Sequence, residues 1–345
     1  MPREPIFSRH FRVEDDSHVG AARRGVGALC YDLGFDETRA GQAALIVTEL
    51  ATNLCKHTAG KGGELIFRPF EEGGALGIDI LSLDKGPGIV NMTQSLCDGY
   101  SSAGSAGNGL GAIGRRSSVF DLFSAPGKGC ALFSRLWKDL PPALPPALTV
   151  GAVCLPVHGE EACGDAWAMR AGRKGAVFML ADGLGHGPDA AVAANLAVSI
   201  FEKNALRTPQ ELLTLIHSGL RGTRGAAVVV AEVSLETHVV RFAGVGNISA
   251  LIRSGETSTP LISYNGTAGV EARKIRETST PWPEDALLIL HSDGLATQGA
   301  LFKDYPGLVH KEAALIAGVL FRDYQRVRDD STVIVIQKTR PSTKP

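Results

Sequence analysis

The sequence predicts two α+β domains in succession, and three observations carry that prediction. The chain has 345 residues, enough for two compact domains. Leu140–Leu148 contains two Pro-Pro pairs, which disfavour helix and sheet and favour an extended spacer. Helical and strand patterns occur on both sides of it. We therefore expect domains at residues 1–139 and 149–345, with 140–148 as a Pro-rich linker.

Composition narrows the classes of function. The net charge is −1, which argues against nucleic-acid binding and against a polybasic membrane interaction. No apolar run approaches the roughly 20 residues of a membrane helix, and the N-terminus lacks a signal-peptide core. Six cysteines are scattered without a CxxC pair, so we expect reduced, mostly buried thiols. The sequence predicts a cytoplasmic protein.

The first half reads as helices over an antiparallel sheet, an α/β sandwich. One helix is expected over residues 19–33, capped by Asp16 or Ser17, and a second from Asp36 to His57. Residues 64–70 and 75–83 read as strands joined by a Gly-Gly turn. A short helix over 110–116 and strands over 119–123 and 130–137 follow.

The second helix presents polar side chains on one stripe. Glu49, Asn53 and Lys56 or His57 are spaced four and then three or four residues apart, so they share a face. They could form a solvated surface, but an apolar stripe that includes Leu45 already supplies the core face. Asn53 could ligate Mg²⁺ through its amide oxygen, and Glu49 could orient or deprotonate an attacking hydroxyl.

Two glycine-rich segments add to this pattern. Asp84-Lys-Gly-Pro-Gly88 follows a strand, where a carboxylate can accept from an adenine amine and Gly86 and Gly88 permit close backbone approach. Alone, this segment would read as a turn. Gly104–Gly111 precedes a helix and leaves backbone N–H groups free for phosphate.

These segments together resemble the ATP-binding boxes of the GHKL fold, over nearly all of residues 8–138. The resemblance is to RsbT/RsbW-like anti-sigma and switch-protein serine kinases. It implies ATP and Mg²⁺ binding, with phosphate transfer to serine or threonine of a STAS-domain antagonist. Glu49 would be catalytic, Asn53 would hold the metal, and the nucleotide would contact Asn53, Lys56, Asp84, Gly86, Gly88, Gly109, Leu110 and Gly111.

The second half reads as an α/β layered sandwich. Strands are expected over 150–157, 175–181, 226–233, 239–243, 287–291 and 332–337, and helices over 188–204, 209–221 and 311–322. Acidic residues stand at the ends of these strands, in Gly164-Asp165, Asp182-Gly183, Asp293-Gly294 and Asp329-Asp330. Converging carboxylates repel one another unless cations compensate them, and hard oxygen ligands suit Mg²⁺ or Mn²⁺.

These acidic segments resemble the SpoIIE/RsbX-like branch of the PPM-type serine/threonine phosphatases, over about residues 148–338. The resemblance implies two metal ions and a phosphoprotein substrate. Asp182 would bridge both ions and act in catalysis, and Gly183 would offer its carbonyl. Asp165 would hold one ion, and Asp293 and Asp329 the other. The pair Asp329-Asp330 leaves open which member is the direct ligand.

The chain departs from that family in two respects. Branch members often carry a second acidic residue shortly after the first Gly-Asp, whereas Ala166-Trp-Ala-Met169 follows here. No arginine is clearly assigned to the phosphate, although Arg170 and Arg173 are candidates. His186 is a candidate general acid, with a structural turn role as the alternative. Asn247 is left outside the site.

We therefore predict a bifunctional regulator that phosphorylates and dephosphorylates a STAS-domain antagonist in a partner-switching pathway. The wider partner would be a sigma factor or a stressosome complex, and a homodimer stays open. One alternative makes the first half an ATP-dependent binding module beside an active phosphatase. Another makes the whole chain a non-catalytic scaffold, which the intact acidic motifs argue against.

Overall fold

The computed structural model describes residues 8–89, 109–296, 302 and 305–340. They form two compact units that are not continuous in sequence. The first comprises Ile6–Pro146 together with Phe302–Arg322, and the second is built mainly from Ala147–Leu301 and Asp323–Pro345. The first boundary falls at the end of the Pro-rich segment. Residues 302–322, which the sequence assigns to the second domain, belong to the first unit.

The first unit is a five-stranded antiparallel sheet with helices on one face. The strand order is β1-β2-β3-β5-β4. The elements in chain order are β1 (Arg9–Val13), α1 (Asp16–Asp32), α2 (Glu37–His57), β2 (Gly63–Glu72), β3 (Ala75–Asp84), α3 (Gly109–Arg116), β4 (Val119–Ser124) and β5 (Cys130–Trp137). The sequence predicted all of these except β1.

Helix caps and helix faces follow from local chemistry. The cap of α1 is Asp15, not Asp16 or Ser17, because the Asp15 carboxylate accepts from the Ser17 N–H at 2.8 Å. Asp36 caps α2, and the helix begins at Glu37, as predicted. On α2, Ile46 and its neighbours at four-residue spacing pack against the sheet. Leu45, predicted on that stripe, is instead 52% exposed, because its own four-residue row runs through Glu49.

The other face of the same sheet receives α6 (Ala313–Tyr324), and every residue from Ala313 to Arg322 is buried. A Cβ built on Gly318 would come within 3.1 Å of Leu83 and 3.2 Å of Leu81, so glycine allows this close approach. The Lys311 ammonium and the Glu312 N–H both donate to Asp121 at 2.9 Å. A helix buried all round is expected to be apolar all round, and α6 is apolar from Ala313 to Phe321; the buried Arg322 that follows donates to the Asp84 carbonyl at 3.0 Å.

The second unit is two packed sheets with a pair of helices outside one of them. One sheet has the order β13-β10-β9-β8-β7, and the other β12-β11-β14-β15-β6. Their elements are β6 (Leu148–Leu155), β7 (Asp165–Gly172), β8 (Gly175–Gly183), α4 (Pro188–Asn204), α5 (Pro209–Gly219), β9 (Ala226–Ser234), β10 (Val239–Val245), β11 (Ser249–Ser254), β12 (Thr257–Leu261), β13 (Thr278–Pro281), β14 (Leu287–His291) and β15 (Ser331–Lys338).

The core of this unit is split between two layers. Apolar residues from both sheets meet between them, and a second cluster joins α4 and α5 to the outer face of the first sheet. Four strands escaped prediction: β7, β11, β12 and β13. In the part of the chain that the structure describes, no helix is both long and apolar enough to cross a membrane.

Candidate functional site

Asp165 and Asp182 form the centre of the acidic site because the β7–β8 ladder pairs them directly. Asp165 begins β7, and Asp182 is the last residue but one of β8. The turn after Asp182 is tightly packed, since a Cβ on Gly183 would lie 2.1 Å from the Ala190 carbonyl. Only glycine fits there. The predicted Asp-Gly element is therefore a strand end whose backbone is held against α4.

Asp165 is 1% exposed and has one hydrogen-bonded oxygen. Its Oδ2 accepts from the Ser292 hydroxyl at 2.7 Å. Its Oδ1 is buried without a hydrogen-bond partner among the described residues. Burial raises the pKa of Asp165 to about 7, and the hydrogen bond from Ser292 opposes that rise only in part. A buried carboxylate oxygen without a partner is a position that a cation could stabilise.

The pKa of Asp182 is raised in part by the other acidic residues of the site. Burial raises its pKa to about 9, and the nearby charges of Asp165, Asp293, Asp329 and Asp330 contribute in that order. Burial also raises the pKa of Asp329, with a further contribution from Asp293. The structure thus brings all the predicted acidic residues close enough to repel one another, and no basic group is among the main influences on Asp182.

The adjacent Asp329 and Asp330 have different surroundings. Both oxygens of Asp330 accept backbone N–H groups at 2.8 Å, one from Val157 and the other from Gly164. Asp330 therefore anchors the segment that leads into Asp165. The Asp329 carboxylate accepts the N–H of Asp330 at 3.0 Å, and no second backbone N–H engages it among the described residues. Asp329 is the more available ligand of the pair.

Asp293 has a partner that the sequence did not assign to the site. The Asn247 amide donates to its Oδ2 at 2.7 Å. Asn247 follows β10 and Asp293 follows β14, so strands from both sheets end at this point. The signal was present in the sequence as a polar residue after a strand, but the contact spans 46 residues and leaves no periodic trace.

The donor set fits hard divalent cations. It consists of carboxylates, the partnerless Asp165 Oδ1 among them, and a main-chain carbonyl at Gly183. Across the ranges that the structure describes, no three His, Cys, Asp or Glu side chains form a ready-made metal group. The chemistry of the cluster therefore suits a metal centre, although the side chains are not arranged as a complete one.

The structure does not bring Arg170 and Arg173 to this cluster. Arg170 stands five residues along β7 from Asp165, roughly 16 Å away at strand spacing. Arg173 lies further on, in the turn between β7 and β8. His186 lies in the loop after Asp182, exposed, with its Nδ1 3.1 Å from Glu160. The five cysteines within the described ranges are free thiols.

In the first unit, Glu49 and Asn53 converge on the start of α3. A Cβ built on Gly109 would lie 3.5 Å from Glu49 Oε2 and 3.9 Å from Asn53 Oδ1. A small cavity lies along the same side of α2. Its lining is Leu45, Ile46, Glu49, Ala112, Ile113 and Arg116. Leu110 and Gly111 stand in the first turn of α3, whose N-terminal N–H groups suit an anion.

Asp84 ends β3 in a tight, hydrogen-bonded turn. Its Oδ1 accepts from the Gly86 N–H at 2.7 Å and the Cys130 N–H at 3.2 Å, and burial raises its pKa. Gly88 has φ +77°, and a Cβ there would meet the Ala125 carbonyl at 2.3 Å.

The same turn abuts the C-terminal end of α2, one turn beyond Asn53. A Cβ on Gly86 would lie 3.0 Å from the Thr58 Cα. Lys56 is exposed on α2. Gly104–Asn108 of the predicted phosphate loop lies outside the described residues.

One family model and two known bacterial proteins match parts of this chain. Residues 172–339 match the family model of Stage II sporulation protein E (SpoIIE). Phosphoserine phosphatase RsbX of Bacillus subtilis (strain 168) is 25% identical over 140 residues, 40% of this chain and 70% of that protein. Serine/threonine-protein kinase RsbT of the same organism is 29% identical over 126 residues, 36% of this chain and 93% of that protein.

A solved structure described as "The bacterial stressosome: a modular system that has been adapted to control secondary messenger signaling" is also similar. It is 30% identical in sequence, has a TM-score of 0.50, and matches 55% of this chain and 99% of its own.

Proposed function

We propose that this protein is a bifunctional regulator of partner switching, because residues 172–339 match the SpoIIE family model and the acidic residues of the second unit converge. Its second unit removes phosphate from serine or threonine of a STAS-domain antagonist, and its first unit, a GHKL-type ATP-binding domain, adds it. The observation that carries the proposal is the acidic cluster, whose buried, mutually repelling carboxylates leave the Asp165 Oδ1 without a partner.

In the phosphatase half, the roles follow from the surroundings of each carboxylate. Asp182, Asp165 and the Gly183 carbonyl would hold divalent ions, Mn²⁺ or Mg²⁺, together with Asp293 and Asp329. Asp330 acts as the anchor of the 157–164 segment, since backbone N–H groups engage both of its oxygens. When bound, such ions lower the pKa of water and neutralise phosphoryl charge.

In the kinase half, Glu49 and Asn53 face the first turn of α3. Asn53 takes the Mg²⁺ that accompanies ATP, and Glu49 accepts the proton of the acceptor hydroxyl. Asp84 accepts from the adenine amine, with Gly86 and Gly88 clearing room for the base. Gly109, Leu110 and Gly111 offer N–H groups to the phosphates, and Lys56 adds a positive charge.

The partner follows from what the two relatives are called. One is a phosphoserine phosphatase and the other a serine/threonine-protein kinase of one bacterium. Opposing activities on one chain would act on one partner at the same local concentration. That the partner is a STAS-domain antagonist, within a stressosome or upstream of a sigma factor, is what the resemblance of the sequence to the switch-protein kinases and phosphatases implies.

The test uses the full chain with a purified STAS-domain partner, ATP and Mn²⁺, and follows phosphate on the partner over time. We expect Asp182→Asn to accumulate phosphorylated partner and Asn53→Ala to produce none. Gln42→Ala, on the same helix as Asn53, and Glu236→Gln, on an exposed hairpin, are the matched controls and should behave as wild type.

Three outcomes decide between the readings, and two of them would change the proposal. If no variant adds phosphate while wild type dephosphorylates a phosphorylated partner, the first unit is a binding module. If Glu49→Ala still binds ATP but no longer phosphorylates the partner, the kinase role stands. A wild-type protein that neither adds nor removes phosphate would overturn both halves.

A further inference from the structure

Ser292 lies where the two sheets of the second unit meet at the acidic site. It directly follows β14, its neighbour in the sheet is β15, and its hydroxyl reaches Asp165 on β7 of the other sheet. Ser292 is 0% exposed and Asp165 is 1% exposed. The contact joins residues 127 positions apart and is shielded from water. The Ser292–Asp165 hydrogen bond is therefore part of the buried interior of the second unit.

The direction of this hydrogen bond is determined by a second one. The Thr332 N–H donates to the Ser292 oxygen at 3.0 Å. A backbone N–H can only donate, so the serine oxygen is the acceptor there and its proton is directed to Asp165 Oδ2 at 2.7 Å. The result is a relay from the backbone of β15 through the hydroxyl to the carboxylate.

The relay determines which oxygen of Asp165 stays available. With Oδ2 held by Ser292, the carboxylate cannot rotate without losing a buried hydrogen bond to a charged group. Oδ1 is left without a partner among the described residues. Because the ladder pairs Asp165 with Asp182, this oxygen belongs to the shared acidic cluster.

We propose that Ser292 is a positioning residue for divalent-cation binding, which orients Asp165 so that its Oδ1 is presented to the ion. The proposal rests on the proposed phosphatase function of the same site. Outer-shell hydrogen bonds of this kind orient metal-ligating carboxylates, and their loss typically weakens metal affinity about 10–100-fold.

Thr149 supplies a matched control. It pairs with Gln337 at the other end of the β6–β15 ladder, and its hydroxyl lies 3.0 Å from the Thr339 hydroxyl. Thr149→Val keeps the side-chain shape and leaves the relay intact. Ser292→Ala removes the relay, and Ser292→Cys keeps the shape with a weak donor.

The experiment is a calorimetric Mn²⁺ titration of the full-length protein without ATP, together with phosphate release from a phosphoserine peptide at rising Mn²⁺. We expect Ser292→Ala to bind Mn²⁺ about 10–100-fold more weakly, with Ser292→Cys between it and wild type and Thr149→Val unchanged. Excess Mn²⁺ should restore most of the activity of Ser292→Ala, because the chemical groups themselves are intact.

The outcomes distinguish a failure of the positioning role of Ser292 from a failure of the proposed phosphatase function. Wild type that binds no Mn²⁺ and releases no phosphate would overturn the proposed function itself. Wild type that does both, with Ser292→Ala equally tight, would overturn only the positioning role. If Ser292→Ala does not fold, as its unfolding midpoint without metal would show, Ser292→Cys decides: a wild-type Mn²⁺ affinity there contradicts the proposal.

Discussion

Asp79 in the first unit and Asp165 in the second are each 1% exposed, yet their pKa values shift in opposite directions. Asp79 lies between two guanidinium groups: Arg135 donates to both of its oxygens, at 2.7 and 3.0 Å, and Arg68 donates to Oδ2. Burial would raise its pKa, but Arg135 and Arg68 outweigh that effect and hold it below the usual value. Asp165 has a single hydroxyl, and its pKa rises.

The difference separates a structural carboxylate from one suited to a ligand. A buried charge is tolerated when opposite charges and hydrogen bonds compensate it, as in the network of Asp79. Clustered carboxylates without such partners have a strongly raised pKa, which is typical of functional sites. The comparison predicts that positive charge from outside the chain should stabilise the second site, whereas the first already has its own.

The largest effect should come from Asp182, which couples to every other carboxylate of the cluster. Asp182→Asn should lower the kcat for phosphoserine-peptide hydrolysis at least about 10³-fold, equivalent to about 4 kcal/mol of transition-state stabilisation. Steady-state phosphate release measures it, with Glu236→Gln as the control. Activity within tenfold of wild type would contradict the central place of Asp182.

The next effect concerns Asp79. Asp79→Ala removes the carboxylate that Arg135 and Arg68 share, and both guanidinium groups stay buried without it. We therefore expect the free energy of unfolding to fall by about 3–5 kcal/mol. Urea unfolding measures it, with hydrogen exchange in β3 assigning the transition to the first unit. Glu14→Ala, which removes a mainly exposed pair with Arg12, should stay within about 0.5 kcal/mol of wild type. Equal losses in the two variants would show that the buried network is not special.

Addition of metal should distinguish the two units directly. At a Mn²⁺ concentration about 100 times the dissociation constant, bound metal should stabilise the second unit by about 2.7 kcal/mol. Calorimetry without ATP should show the shift in wild type and its loss in Asp182→Asn. The first unit should not respond, since the ion proposed at Asn53 accompanies ATP, which is absent here, and Asp79 is already paired with Arg135 and Arg68. A shift that persists in Asp182→Asn would place the metal elsewhere.

The smallest effect is the dependence of stability on pH. Its sign for Asp165 and Asp182 in the second unit is opposite to its sign for Asp79 in the first. When a chelator keeps metal ions off the site, Asp165 and Asp182 have folded-state pKa values of about 7 and about 9. Both lie above the unfolded value of 3.8. The folded state then holds extra protons, so stability falls as pH rises from about 4 toward 9.

Between pH 5 and pH 8 we expect a loss of at least about 1 kcal/mol, or roughly 2–4 °C in Tm for a unit of this size. Thermal unfolding measures it, and Asp182→Asn should flatten the slope. Asp79, with its lowered pKa, acts in the reverse sense: its contribution is present above the unfolded pKa and is lost as pH falls through the folded value. A slope that Asp182→Asn leaves unchanged would assign the pH effect to other groups.

Sequence reasoning reached the parts of the molecule that depend on local periodicity. Apolar strands that end in Asp-Gly predicted where Asp182 and Asp293 lie, because a strand end places the next carboxylate at a sheet edge. The strands β12 and β13 were missed for the complementary reason. Both β12 and β13 are mostly exposed and polar, so they lack the alternation that marks a half-buried strand.

The contacts of the acidic site were beyond such reasoning. The roles of Ser292 and Asn247 depend on partners 127 and 46 residues away. The different surroundings of Asp329 and Asp330 depend on backbone N–H groups near residue 160, which no side-chain pattern reveals. The helix α6 was expected from its apolar composition, but composition does not say which sheet it covers.

The position of α6 has a consequence for the order in which the protein is made. Its residues follow nearly the whole second unit in the chain, yet they cover Leu81 and Leu83 of the first. At about 5–20 residues per second of synthesis, that apolar sheet face waits on the order of ten seconds or longer before its helix emerges from the ribosome. The first unit is thus begun first and finished almost last, so we expect chaperone capture during translation to concentrate on β3.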